Sequence, residues 1–280
     1  MNFTPDTLRK FLKEQDLKGL VHASNILAKL SKKDNIDFLL RCADNYYEFH
    51  TNFNMSNLDN SVSYWNMYLG FVRANNKNTN GKPIYTAQSK FESTILEEVL
   101  FRIFKEYESE KIKIGGIKAF SNMFFSPSDF ENFKEKSNIK INTKDQDFAI
   151  YKQVEITTTD NNEATKAFVP VLAIECKTYL DKTMLEGSIA TAEKIKNGNP
   201  YCRFCIVTER YEVDKRVDIK YSRIDQIYIL KKDANEHDAN NIDIQKDVVH
   251  LLYEDTKQHL SAKWGNIEKN IREKGIVFES

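Results

Sequence analysis

The chain has 280 residues and 32.7 kDa, enough for one sizeable buried core; with 41% hydrophobic and 29% charged residues but only 9 Gly and 5 Pro, it is neither collagen-like nor wholly disordered. Its 41 Lys+Arg balance 41 Asp+Glu, so no global positive charge points to nucleic acid, and only a local cleft would do so. No run approaches the roughly 18 apolar residues of a membrane span, and Met1 to Lys10 lacks the apolar stretch of a secretory signal, so the expected location is the cytoplasm.

The first third reads as helical. Thr4-Pro5-Asp6 offers a cap with proline in the first turn, and Leu8, Phe11 and Leu12 follow at helical spacing. Leu20, Ala23, Ile26, Leu27 and Leu30 repeat the pattern, as do Val62, Trp65, Leu69 and Val72. The aromatic stretch from Tyr46 to Phe71 reads as the packing of these helices. Ala74 to Pro83, with four Asn and one Gly, is a loop, and it sets the expected division into residues 1–80 and 81–280.

Gln88 to Phe104 then predicts a helix with a broad apolar face. Glu92 falls within that face, between Val99 and Ile103 on the wheel. Two readings stand: a carboxylate turned inward for a purpose, or an acid in an exposed first turn, where the helix dipole favours it. Ile114-Gly115-Gly116-Ile117 reads as a turn, and Ser126-Pro127-Ser128-Asp129 opens a short helix.

The pattern next changes to strands. Asp147 to Tyr151 and Val154 to Thr158 are short β-prone runs, and Phe168 to Tyr179 contains the most apolar strand of the chain, Val169 to Ile174. Lys182 to Lys196 predicts a helix, Gly198 to Pro200 a break, and Arg203 to Thr208 another strand. Strand, helix and strand make a crossover unit, and with it an α/β fold. Ile219 to Leu230 gives a further strand signal, Lys232 to Lys246 an acidic, Asn-rich loop, and Val248 to Lys274 a helix ending before Gly275.

Four cysteines, Cys42, Cys176, Cys202 and Cys205, include one pair with CxxC spacing. No second pair exists, and Cys205 leads into Ile206-Val207, so buried strand thiols are favoured over a zinc site. Five scattered histidines form no HExxH, and no G-x-S-x-G, P-loop or GxGxxG is present.

One set of charges stands out by its context. The apolar strand Val171 to Ile174 runs into Glu175-Cys176-Lys177, and period-two alternation puts Glu175 and Lys177 on one face. Acid-x-Lys also occurs at Asp16, Asp218 and Asp255, but only Glu175 follows a continuous apolar strand. Burying such charges costs several kcal/mol unless they pair or hold a cation, so a structural ion pair and a cation site both fit. Upstream, Asp147 opens the alternating run Asp147-Phe148-Ala149-Ile150, 28 positions before Glu175, with β-like sequence between. On neighbouring strands, Asp147 and Glu175 would share a divalent cation, with Lys177 one side-chain pitch away to orient water or neutralise phosphate.

Asp147, Glu175 and Lys177, followed by a crossover helix and strand, resemble the PD-(D/E)XK nuclease superfamily, and the chain looks like a type II restriction endonuclease. Gln88 to Glu98, Asp145 to Tyr151 and Val169 to Ile195 carry the likeness. The motif's leading proline is replaced here by Gln146. The resemblance implies a restriction-endonuclease-like mixed β-sheet flanked by helices over residues 81–280; the helical region over 1–80 lies outside it and is a candidate for DNA recognition or dimerisation. It implies Mg²⁺ held by Asp147, Glu175 and the Cys176 carbonyl, with Lys177 assisting the attacking water. It adds a helix acid, Glu92, with Glu97 as the alternative. The expected products are 5′-phosphates from double-stranded DNA; the expected partners are a second copy of the chain and a cognate methyltransferase. A repair or recombination nuclease and a non-catalytic DNA-binding module are the competing readings. Tyr179, Lys182 and the segment 176–232, with 12 Lys+Arg against 8 Asp+Glu, are candidates for backbone contacts, and Arg73, Asn75, Asn76 and Asn78 for base contacts.

Overall fold

The computed structural model describes residues 3–136, 138–158, 161–232, 234, 242–264, 267–275 and 277. Thr4 starts the first helix, α1 (Pro5–Glu14), through a reciprocal cap: its hydroxyl accepts the Thr7 N–H, and the Thr7 hydroxyl accepts the Thr4 N–H. Helices α2 (Val21–Ser31), α3 (Ile36–Asn52) and α4 (Leu58–Asn75) follow. Their apolar stripes bury Leu12, Ile26, Phe38, Phe49 and Trp65 in a cluster that continues through the next helix and one face of the sheet to Leu252.

The predicted helix over Gln88 to Phe104 is shorter in fact. A single 3-10 turn (Ala87–Ser89) precedes α5 (Ser93–Ile103), and Lys90 between them has φ of 54°, a left-handed conformation through which no α-helix propagates. Glu92 therefore occupies the N-cap position of α5 instead of its apolar face.

The sheet has five strands, β1 (Lys113–Phe125), β2 (Ile139–Thr158), β3 (Asn161–Leu180), β4 (Arg203–Tyr211) and β5 (Gln226–Ile229), in that spatial order. β2 pairs antiparallel with both β1 and β3, whereas β4 pairs parallel with both β3 and β5, and β1 touches β3 in parallel at Ala119 and Phe168. Between them lie α6 (Phe130–Glu135) and the crossover helix α7 (Lys182–Gly198), which packs on the sheet face carrying Ala173, Phe204 and Ile206. The opposite face is covered by α5 and α8 (Lys246–Ser261).

Three expectations need correction. Ile114 to Ile117 is no turn but part of β1, where the pairing slips between Gly115 and Ile117. Gly115 supplies a φ of +123°, and Gly116 lies so close to the neighbouring strand that an added Cβ would stand 3.2 Å from the Asp147 carbonyl oxygen. The two runs Asp147 to Tyr151 and Val154 to Thr158 are one continuous strand. Val248 to Lys274 divides into α8 and α9 (Ile267–Lys274) because Ala262 is extended and the Trp264 indole donates back to the His259 carbonyl. Of the predicted loop 232–246, residues 233 and 235–241 lie outside the described residues.

All four cysteines are buried free thiols. Burial pushes Cys205 up to about 12 and raises Cys202 further.

Candidate active site at the fork of β2 and β3

The antiparallel ladder between β2 and β3 runs as far as Phe148 with Ile174. In that register the next pair is Asp147 with Glu175, and there the ladder stops. Asp147 Oδ2 accepts the Cys176 N–H at 2.9 Å, so a side chain takes the bond that a β2 carbonyl would otherwise accept. β3 goes on alone with β4, pairing Glu175 with Ile206 and Lys177 with Thr208. The sheet thus forks where the two acids face each other.

Each member of the set is held in place. Glu175 is buried, and its Oε2 accepts the Ser188 hydroxyl at 2.7 Å and lies 3.3 Å from Lys177 Nζ. Ser188 stands on α7, whose first turn is fixed by Asp181 accepting the Met184 N–H. For Lys177, burial alone would lower the ammonium's pKa, but Glu175 and Asp147 beside it hold it above the ordinary lysine value. Gln146, immediately before Asp147, is buried and donates to the Asp145 carbonyl.

The two candidate helix acids have different surroundings. Glu92 receives Arg73 Nε at 3.2 Å and the Asn76 amide at 3.0 Å. Arg73 also grips Glu209 on β4 with both terminal nitrogens, at 2.6 and 2.7 Å. Glu97, one and a half turns further along α5, faces the fork: burial, and then the charge of Asp147, raises its carboxyl to about 7. Its neighbour Glu98 is fully buried and clamps α5 to the N-terminal helices. It accepts the main-chain N–H groups of His22 and Ala23 at 3.0 Å, the Tyr46 hydroxyl at 2.9 Å and Arg102 at 2.8 Å. Burial would raise the Glu98 carboxyl, but Arg102 and these donors keep it below the usual range. Sequence reasoning missed Ser188, Glu98, Glu209 and Gly116, because each acts through a contact distant in the chain and none follows a local spacing rule.

Of the residues proposed for base contacts, Arg73 and Asn76 are committed to these buried networks. Asn75 donates to the Phe71 carbonyl, and Asn78 accepts from main-chain N–H groups of its own turn. Tyr179 lies one side-chain pitch beyond Lys177 beside a cleft of about 430 Å³, and Lys182 is exposed at the start of α7.

The donor set suits a hard cation. Asp147 and Glu175 offer oxygen ligands at the fork, and the Asp147 charge adds to burial in raising the Glu97 carboxyl, a repulsion that a divalent ion would relieve. Among the described residues no three or more His, Cys, Asp or Glu side chains form a ligand cage. Such a cation would therefore be completed by main-chain carbonyl and water, the coordination Mg²⁺ accepts and structural zinc does not.

This forked, five-stranded sheet with helices on both faces defines a restriction-endonuclease-like α/β fold. A solved structure, the native BbvCI A2B2 tetramer, matches with a TM-score of 0.64 and 18% identity over 91% of this chain and 95% of that one. The model of the Bpu10I restriction endonuclease family matches residues 88–257, more than half of the chain, and the chain belongs to that family. The resemblance to type II restriction endonucleases therefore holds. No curated protein matches. No helix among the described residues is long and apolar enough to cross a membrane.

Proposed function

We propose that the protein is a Mg²⁺-dependent type II restriction endonuclease of PD-(D/E)XK type, cutting double-stranded DNA at a specific sequence to leave 5′-phosphates. The observation that carries this reading is the fork: two acids at opposed positions where the β2–β3 ladder ends, with Lys177 Nζ 3.3 Å from Glu175 Oε2.

Asp147, Glu175 and the Cys176 carbonyl would hold Mg²⁺, which supplies neutralisation of phosphate charge and a readier source of hydroxide. The chain's own groups do the positioning. Ser188 fixes the rotamer of Glu175, and the Cys176 N–H fixes that of Asp147. Lys177, kept charged by both acids, donates toward the attacking water or a phosphate oxygen. Glu97 is the helix acid of the site, and Glu92 belongs to the frame that joins α4, α5 and β4.

One such site cuts one strand, so duplex cleavage requires a second. A homodimer supplies it most simply; because the fold-similar BbvCI protein is an A2B2 tetramer, a non-identical catalytic subunit is the second arrangement to test. Residues 1–80 would serve recognition or dimerisation, and a methyltransferase would protect host DNA in the cytoplasm. Cleavage of a mixed-sequence plasmid with Mg²⁺, with EDTA, and with Asp147→Ala tests the reading. Discrete Mg²⁺-dependent bands that vanish in the variant are expected. A smear would indicate a repair-type nuclease, and no cutting with any divalent metal would leave a DNA-binding module.

A further inference from the structure

One strand pitch beyond Lys177, on the same face of the parallel pair, β3 and β4 carry a second matched couple. The register that pairs Lys177 with Thr208 next pairs Tyr179 with Arg210. The Arg210 guanidinium lies over the Tyr179 ring, 5.0 Å from its centroid, and its Nε donates to Glu212. Stacking and ion pair together hold a long, flexible side chain in one orientation. Among the described residues its two terminal nitrogens make no further hydrogen bond, and the side chain keeps 21% of its surface exposed. Tyr179 and Arg210 line the same cleft of about 430 Å³, at the carboxyl ends of the parallel strands where open α/β sheets receive their ligands.

The geometry points to Arg210 as a positioning residue that grips the phosphate next to the scissile one on the DNA strand being cut. Two residues along a strand span about 6.6 Å, comparable with the step between neighbouring phosphates of one nucleic-acid strand. If Lys177 addresses the scissile phosphate, a side chain one pitch along the same face meets its neighbour. A guanidinium fork already fixed by stacking is suited to that contact, because it binds phosphate oxygens in a set plane. This inference rests on the nuclease reading of the fork.

The test measures binding of a fluorescent mixed-sequence duplex in EDTA over a range of salt, alongside plasmid cutting in Mg²⁺. Removing one phosphate contact with Arg210→Gln should lower the slope of log affinity against log salt by about 0.9 relative to wild type and slow cutting. Arg210→Lys should restore the slope, since the charge remains, yet still cut slowly, since the planar fork is gone. Glu212→Gln, which releases a competing carboxylate, should tighten binding. An unchanged slope in Arg210→Gln while wild type binds and cuts would overturn this inference alone. So would a slope lowered equally in Arg210→Lys, which would mark a structural role. Wild type that neither binds nor cuts would overturn the nuclease reading and this inference with it.

Discussion

At the scale of single residues, the structure separates an acid tied into the frame, Glu92, from one beside the fork, Glu97. The helical wheel favours Glu92 over Glu97 as the inward acid, but the left-handed Lys90 delays the start of α5 and leaves Glu92 at its N-cap. Glu97→Gln is expected to slow cleavage about a hundredfold while leaving the melting temperature near wild type. Glu92→Gln weakens bonds from Arg73 and Asn76 and should lower stability by about 1–3 kcal/mol, with cutting changed only slightly. Parallel single-turnover rates and urea melts of the two variants check the pair; a cleavage defect confined to Glu92→Gln would reverse the assignment. The pairing of Glu175 with Lys177 is legible in the sequence because an apolar strand ending in two charges is costly without a function or a partner, whereas Asp147 is marked only by the alternating run that it opens. Ser188 is not marked: nothing in α7 distinguishes it from other small polar helix residues until Glu175 lies across from it.

At the scale of elements, glycine placement sets how closely the sheet and its helix approach each other. Gly198 closes α7 against β1, where an added Cβ would stand 2.6 Å from the Ser121 carbonyl oxygen. Gly198→Ala should therefore cost about 1–3 kcal/mol, read as a lower denaturation midpoint with an unchanged urea slope. Gly116→Ala meets the Asp147 carbonyl at 3.2 Å and is expected to impair cutting more than stability, because the main chain it displaces carries the acid proposed to bind the metal. Equal loss of both properties would assign Gly116 to packing alone. The strand, helix and strand unit β3, α7, β4 could be read from its periodicities, and so could the α1 cap. The Gly-Gly bulge could not, since the same dipeptide serves a turn or a strand and only the approach of β2 decides. The joining of two short runs into the 20-residue β2 likewise depends on β1 and β3 as partners.

At the scale of the whole molecule, the N-terminal helices and the sheet share one apolar cluster, tied by a buried polar network around Glu98. His22 within it donates or accepts at Thr94 and Tyr68, at 2.9 and 2.6 Å, and burial lowers its pKa to about 4 from 6.5. A histidine lowered on folding binds its proton more readily in the unfolded chain. Stability from this group is complete above pH 6.5 and declines as pH falls toward 4, by on the order of 3 kcal/mol. Urea melts at pH 7 and pH 5 should show part of that decline, and His22→Gln should make it smaller. His50, also lowered to about 4 by burial and by Arg102, titrates in the same window, so the difference between the two proteins isolates His22. A decline of the same size in both would remove His22 as its source.

The central claim is that the fork of β2 and β3 is the catalytic centre, and Lys177→Ala tests it most directly. Single-turnover cleavage of a duplex carrying the mapped site should fall about a thousandfold. Binding of that duplex in EDTA should stay close to wild type, because Lys177 acts at one phosphate among many. Cutting at the wild-type rate, or loss of folding along with activity, would contradict the account and make Glu175 and Lys177 a structural ion pair.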